Sequence, residues 1–122
     1  MRRRLLKSKI HRATITSTDL SYEGSLTVDT DLMAAANLAE YEEVQVVNVN
    51  NGARFSTYVI RGRPGTGMVQ LNGAAARLGM PGDLVIVMAF ADVDESDVSG
   101  FRPAIAFVDS ANRLDRSGTT DV

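Results

Sequence analysis

Residues 45–60 read QVVNVNNGARFSTYVI. Two runs rich in β-branched and aromatic residues flank Asn50-Asn51-Gly52. An Asn-Gly pair tolerates the positive φ angles of a tight turn, so the stretch predicts a β-hairpin with strands at 45–49 and 54–60. Side chains alternate along a strand, which puts Arg54, Ser56 and Tyr58 on one face. Arginine can hold a carboxylate through two parallel hydrogen bonds, and a nearby tyrosine hydroxyl can donate a proton. The same pattern also describes a solvent-facing arginine beside a half-buried tyrosine.

Outward from the hairpin, further short β-rich runs occupy 9–16, 25–28, 68–71, 84–90 and 103–108. The segment 19–24 reads as a loop. A short helix is expected over 31–36, capped by Asp29 or Thr30 and stopped near Asn37. A helical turn is expected over 73–78, and Pro81-Gly82-Asp83 marks a turn. Gly62, Pro64, Gly65 and Gly67 form a loop without the Walker or GxGxxG spacing that cradles phosphates. The acidic Glu40, Glu42 and Glu43 read as a solvated helix end or turn, and 92–100 as a polar connection. Many short strands and few short helices predict a mostly β chain closed into a small barrel over 1–108. Residues 109–122 are polar and aperiodic, which predicts a flexible tail.

Composition narrows the chemistry. The 122 residues contain no cysteine, which excludes disulfides, thiolate catalysis and cysteine-bound metals. That usage suits a reducing, cytoplasmic setting. One histidine, His11, leaves histidine-based triads and metal sites poorly supplied. The net charge of -2 gives no general attraction for nucleic acid. The basic start, MRRRLLKSKIHR, fits a first strand bearing solvated or substrate-facing cations; a nucleic-acid arm or a membrane-surface segment is the other reading. Only Leu5 and Leu6 separate its arginines from Lys7, too few for the apolar core of a signal peptide. The longest apolar run, 84–91, is one buried strand long, so no membrane span is expected.

Glu23-Gly24-Ser25 carries a specific chemical option. A serine hydroxyl pressed onto the preceding carbonyl carbon can displace the amide as an ester. Elimination and hydrolysis then leave a ketone at a new N-terminus. Gly24 supplies backbone freedom for such a turn, although Gly-Ser also occurs in ordinary turns. Asn72-Gly73-Ala74-Ala75-Ala76 reads either as a small-residue turn or as backbone N–H groups offered to an anion.

Taken together, 6–13 (LKSKIHRA), 22–25 (YEGS), 51–58 (NGARFSTY), 72–76 (NGAAA) and 82–86 (GDLVI) resemble the aspartate 1-decarboxylase family in order and separation. The resemblance covers about residues 5–108. It implies a double-psi β-barrel with two or three short helices, assembled as a homotetramer with active sites between subunits. It implies cleavage between Gly24 and Ser25, giving a β chain of 1–24 and an α chain of 25–122. Ser25 then becomes a pyruvoyl cofactor, which forms a Schiff base with L-aspartate and serves as the electron sink for loss of the α-carboxylate. By the same resemblance Tyr58 is the proton donor, and Lys9 and Arg54 hold carboxylates. Thr57, Gly73, Ala74 and Ala75 contact substrate, and His11, Tyr22 and Asn72 are supporting positions. No metal is implied, and nothing calls for a maturation factor. Ser21 and Arg77 stand where histidine is common in the family. Thr57 should point away from Arg54 and Tyr58 unless a bulge, twist or second subunit intervenes. The competing readings are a non-catalytic carboxylate-binding barrel and a small nucleic-acid-binding barrel.

Overall fold

The computed structural model describes residues 1–121, with side chains described through residue 115. In chain order the strands are β1 (Arg2–Thr14), β2 (Ser17–Asp19), β3 (Ser25–Asp29), β4 (Glu43–Asn48), β5 (Arg54–Gly62), β6 (Val69–Asn72), β7 (Leu84–Asp94), β8 (Ala104–Val108) and β9 (Leu114–Asp121). The helix α1 (Thr30–Ala35) follows β3, and 3-10 turns occupy Gly73–Arg77 and Glu95–Gly100. Among the described residues no helix is long and apolar enough to cross a membrane.

The strand order is β2-β6-β3-β5-β4-β7-β1-β8-β9. Only Ile15 and Thr16 separate β1 from β2, so these two strands are one bent stretch. The Ile15 N–H donates to the Asp83 carbonyl at 2.8 Å, and the Thr16 N–H donates to Val69 at 2.8 Å. The bend therefore joins the β7 side of the sheet to β6, so that β2, one end of the strand order, meets β1, with β8 and β9 outside the ring. The ring β1/β2–β6–β3–β5–β4–β7 is closed. Parallel pairs β1·β8, β2·β6 and β3·β5 occur among antiparallel ones, of which β5·β4, β4·β7 and β7·β1 are consecutive. This is the mostly β, double-psi barrel with short helices that the resemblance implied.

Closure explains the composition. A small barrel has room inside only for compact side chains. Ile10, Ile15, Leu26, Val28, Val44, Val46, Val59, Val69, Leu71, Val85 and Val87 fill it, each at most 1% exposed. Each such aliphatic side chain stabilises the fold by about 1.5–3 kcal/mol through burial. Aromatic rings are mostly left on the rim and outer face.

Asp29 sets the direction of α1. Its carboxylate accepts hydrogen bonds from Asp31 N (2.8 Å), Gly65 N (3.1 Å) and Gly67 N (2.8 Å), capping the helix and fixing the loop after β5. Leu32 and Met33 enter the core, and Asn37, at φ 57°, ends the helical segment as expected.

Three expectations are revised. The basic start is a first strand, as one reading had it, but that strand runs Arg2–Thr14 and not 9–16. Arg2, Arg3 and Arg4 meet Asp94 (3.4 Å), Glu95 (2.7 Å) and Asp92 (3.6 Å) across β1 and β7. Exposed pairs of this kind are worth about 0–1 kcal/mol each, but they leave few free cations for a nucleic-acid arm. The hairpin forms, yet its turn is not a two-residue one: pairing ends at Val47↔Arg54, and of the Asn51-Gly52 pair only Gly52 has positive φ. The Asn48 side chain is the reason, since its Oδ1 accepts from Asn50 N and Asn51 N and widens the loop.

The third revision concerns the segment after Asp109. Residues 109–113 make a turn into β9, which runs antiparallel to β8, where a tail was expected over 109–122. Val122 lies outside the described residues. Asn112 is 2% exposed, accepts from Thr14 N (2.8 Å), and donates to Thr14 O (2.7 Å) and Gly67 O (2.8 Å). One buried amide thus ties the C-terminal turn to β1 and to the Gly67 loop. Replacing Asn112 with alanine removes the partner of the buried Gly67 carbonyl and of the half-buried Thr14 N–H and carbonyl. Urea unfolding at fixed protein concentration should show a loss of about 2–4 kcal/mol.

Candidate functional site

Ser25 opens β3, and the burial changes abruptly there. Tyr22, Glu23 and Gly24 are exposed, whereas every residue of β3 is buried. The Gly24–Ser25 peptide is therefore the step from a solvent-facing loop into the barrel wall. The Ser25 hydroxyl donates to the Glu23 carbonyl at 3.0 Å, so it is turned back over the Gly24 unit. Asn72 Nδ2 donates to the Ser25 hydroxyl oxygen (2.9 Å) and to the Thr27 hydroxyl oxygen (2.8 Å). Asn72 is fully buried on β6, opposite Ser25 in the antiparallel β3·β6 pair.

Gly73 holds this loop from the other side. At φ 63° it leads the 3-10 turn, and a Cβ there would lie 2.7 Å from both the N and Cα of Gly24 and 2.9 Å from the Tyr22 carbonyl oxygen. The glycine is required at 73 because two backbones touch. Gly24 itself is not among the residues with positive φ, and nothing lies within 4 Å of where its Cβ would be. The backbone freedom expected at Gly24 is thus supplied by its neighbour across the turn. Ala75 is buried behind Gly73, and Ala74 is exposed.

A cavity of about 260 Å³ opens beside this turn, lined by Tyr22, Ser25, Glu40, Tyr58 and Arg61 among others. Ser25 and Tyr58 meet there because β3 and β5 run parallel from Leu26↔Val59 onward, which sets their preceding residues side by side. The Tyr41 ring lies 6.4 Å from the Tyr58 ring and tilts against it by 48°. Arg61 Nε stands 3.9 Å from Glu40 Oε1. Glu40, Tyr41 and Arg61 were missed in the sequence as site residues: Glu40 read as a solvated helix end or turn, and no periodic pattern set Arg61 apart.

Lys9 and Arg54 are elsewhere. The pairs Lys9↔Met88, Gln45↔Met88 and Gln45↔Ser56 make one row across four strands on the outer face of the barrel. At about 4.8 Å per strand, Lys9 lies roughly 14 Å from Ser56. Arg54 precedes Tyr58 by four residues, about 13 Å along the strand. Neither reaches the Ser25 cavity within one chain. Beside this row, on the side away from Arg54, a groove of about 570 Å³ is lined by Arg4, Glu43, Gln45, Ser56, Met88 and Phe90. Arg54, Ser56 and Tyr58 do share a face, as their spacing predicted. Thr57 pairs with the buried Val44 in an unbroken β4·β5 register, so it faces the opposite way and no bulge re-aims it. Ser21 closes a local turn on Asp19 through its hydroxyl (2.8 Å) and N–H (3.1 Å), and Arg77 is exposed.

His11 pairs with Phe107 across β1 and β8, their rings edge to face at 5.5 Å. Its Nδ1 is buried without a hydrogen-bond partner. Burial, with Lys9 and Arg12 close by, lowers its pKa below the ordinary histidine value. The folded chain therefore binds this proton less readily than the unfolded chain. That difference costs the fold stability as pH falls through the ordinary histidine value of about 6.5 toward the lower folded value. Replacing His11 with glutamine should flatten this part of the stability–pH curve, measured by urea unfolding between pH 7.5 and 5.

Similarity to characterised sequences agrees with this geometry. The family model described as "Aspartate decarboxylase" matches residues 1–115. The chain is 55% identical over 114 residues to aspartate 1-decarboxylase of Albidiferax ferrireducens, covering 93% of this chain and 84% of that protein. It is 50% identical over 122 residues to the Myxococcus xanthus protein of the same name, covering 100% and 94%. A third relative of that name, from Pelotomaculum thermopropionicum, is 56% identical over 110 residues, covering 90% and 83%. With a closed barrel, a serine gripped at the Gly24–Ser25 step and matches across nearly its whole length, the chain belongs to the aspartate decarboxylase family.

Proposed function

We propose that this chain cleaves itself between Gly24 and Ser25 and then removes the α-carboxylate of L-aspartate, giving β-alanine and CO2. The observation that carries the reading is the Ser25 hydroxyl, folded back over Gly24 and held by Asn72 in the same cavity as Tyr58.

Cleavage follows from that posture. The Ser25 oxygen adds to the Gly24 carbonyl carbon, and the Ser25 nitrogen leaves, converting the amide to an ester. Loss of the Ser25 α-proton expels the Gly24 carboxylate and leaves a dehydroalanine. Water then replaces nitrogen, ammonia departs, and a pyruvoyl group remains at residue 25. In the geometry before attack the hydroxyl proton is donated to a neutral carbonyl, Glu23, and not to a base. Unassisted cleavage should accordingly be slow, and its rate set by how firmly Asn72 and Gly73 hold the turn.

The surroundings fit such a group. Asn72 offers a donor 2.9 Å from the Ser25 side-chain oxygen, and the cavity beside it is open to a small molecule. A pyruvoyl group, once formed, supplies a carbonyl that condenses with the substrate amine and accepts the electron pair left by decarboxylation. Tyr58 has the position to return a proton to the former α-carbon. Holding the substrate so that the breaking bond stands across the acceptor π system removes much of the entropic barrier.

Lys9 and Arg54 remain the carboxylate partners in this reading, delivered from a neighbouring copy. Their outer-face row is the surface that a second subunit would bring to the Ser25 cavity, which accords with a homotetramer carrying sites between subunits. A cytoplasmic location fits a chain without cysteine.

The deciding measurement is intact mass after ageing, under denaturing conditions. Two fragments are expected, 1–24 and 25–122, the larger one lighter than its serine form by one ammonia. β-Alanine should form from aspartate only in cleaved samples. Ser25→Ala should leave a single full-length mass. A single mass for the unaltered chain, with or without host extract, would favour the non-catalytic carboxylate binder. Tyr58→Phe should cleave normally yet decarboxylate about 10²–10⁴-fold more slowly. Gly73→Ala forces a Cβ against Gly24 at a positive φ and should slow cleavage at least about tenfold, a drop read from the fragment ratio over time.

A further inference from the structure

The largest cavity among those described is not the one that holds Ser25. It is a groove of about 650 Å³ lined by Thr16, Ser17, Thr27, Arg61, Arg63 and Thr66, with no carboxylate among its lining residues. Two guanidinium groups and four hydroxyls line it, and of the hydroxyls Thr16, Ser17 and Thr66 donate within the chain, to Val69 O (3.0 Å), Gln70 Oε1 (2.7 Å) and Arg63 O (2.7 Å). Arg63 has no ion-pair or hydrogen-bond partner for its side chain among the described residues. Arg61 is engaged only loosely, by Glu40 at 3.9 Å. Thr27 is 94% buried, being 6% exposed, and its oxygen already accepts from Asn72. Its hydroxyl proton therefore has to be donated elsewhere, and no acceptor for it stands among the described residues.

We propose that this groove is a binding site for a small phosphate monoester. A dianionic head matches two guanidinium forks and the Thr27 hydroxyl proton better than a single carboxylate does. The volume exceeds what a bare phosphate occupies, and Met68 provides an apolar side against which a short organic body can rest.

The groove is wired to the Ser25 turn. Ser17 donates to the Gln70 side-chain oxygen at 2.7 Å, and Gln70 Nε2 donates to Asn72 Oδ1 at 2.7 Å. Asn72 in turn donates to both Thr27 and Ser25. Both ends of this chain, Ser17 and Thr27, line the groove. A ligand that accepts the Thr27 proton repolarises Asn72, the residue holding the Ser25 oxygen. The significance of that link rests on the proposed self-cleavage; binding itself does not.

The test is a titration of the full-length chain, with the Asn72 side-chain amide followed by ¹H–¹⁵N NMR. Glycerol phosphate and inorganic phosphate are added separately at constant ionic strength, with chloride as the control. Glycerol phosphate should shift the Asn72 amide saturably and bind more tightly than inorganic phosphate. Arg63→Gln should weaken it at least about tenfold, the loss expected for one charge-assisted contact. Arg63 lies outside the Ser25 cavity, so this variant should cleave at the unaltered rate in phosphate-free buffer. The proposal is overturned if glycerol phosphate does no more than chloride, if inorganic phosphate binds as tightly, if the Asn72 amide is unmoved at saturation, or if R63Q binds equally well. Failure of the self-cleavage reading would show separately, as a single mass in the ageing experiment.

Discussion

Asn72 donates both hydrogens of its amide to β3, one to Ser25 and one to Thr27, from a fully buried position on the facing strand. Everything around the Gly24–Ser25 step is arranged about that grip. A buried amide is costly unless satisfied, so the contact is possible only because β3·β6 register sets residue 72 opposite residue 25. Gln70 completes the satisfaction by donating to Asn72 Oδ1. The next residue, Gly73, then meets Gly24 backbone to backbone. Strand register, amide network and glycine contact are three consequences of one alignment. An error of one residue in β6 would reverse its side chains and lose all three together.

The sequence made some of this legible and concealed the rest, for physical reasons. Tyr58 and Arg54 were readable as one face of β5 because side-chain direction in a strand follows from period two alone. That they serve different places was not readable: it depends on the length of β5 and on which strand lies beside each end. Ser25 stood out only through the YEGS block and its companions. Asn72 was quoted with the NGAAA block, but its partners lie 45 and 47 residues away on a strand it meets through the barrel. Arg61 and Glu40 look like any exposed charges until β5 and the segment before β4 are brought together. The tail reading failed at Asn112 for the same cause, since its three hydrogen bonds are all to distant backbone. Local preference foretold elements; pairings of remote strands decided the site.

The basic N-terminus shows how a composition signal changes meaning in a fold. Three successive arginines suggest a polyanion partner when read alone. In the barrel each stands near an acid on β7 or just beyond it. The acids at 92, 94 and 95 read as a polar loop in the sequence. Antiparallel pairing turns the two runs into a ladder of opposite charges, and cross-strand pairs of that kind favour one register over its neighbours. Their contribution to specificity of pairing is larger than their small contribution to stability.

The distances on the outer face bear on why this family would assemble. A substrate with two carboxylates needs cations near the carbonyl that the proposed cleavage would form at residue 25, yet the only cation lining the Ser25 cavity is Arg61, already facing Glu40. Lys9 and Arg54 share the outer face with Tyr58 but lie roughly 13–14 Å away along and across the strands of a rigid sheet. No side-chain rotation spans that distance, and bending the sheet to shorten it would break the ladder that carries the core. The remaining way to supply a second cation to the cavity is another chain presenting the Lys9–Ser56 row. Assembly in this reading is therefore a catalytic requirement before it is a source of stability. It follows that a chain can be folded, and even cleaved, while still lacking a complete substrate site. Folding, maturation and turnover then become separable steps, each depending on a different set of contacts.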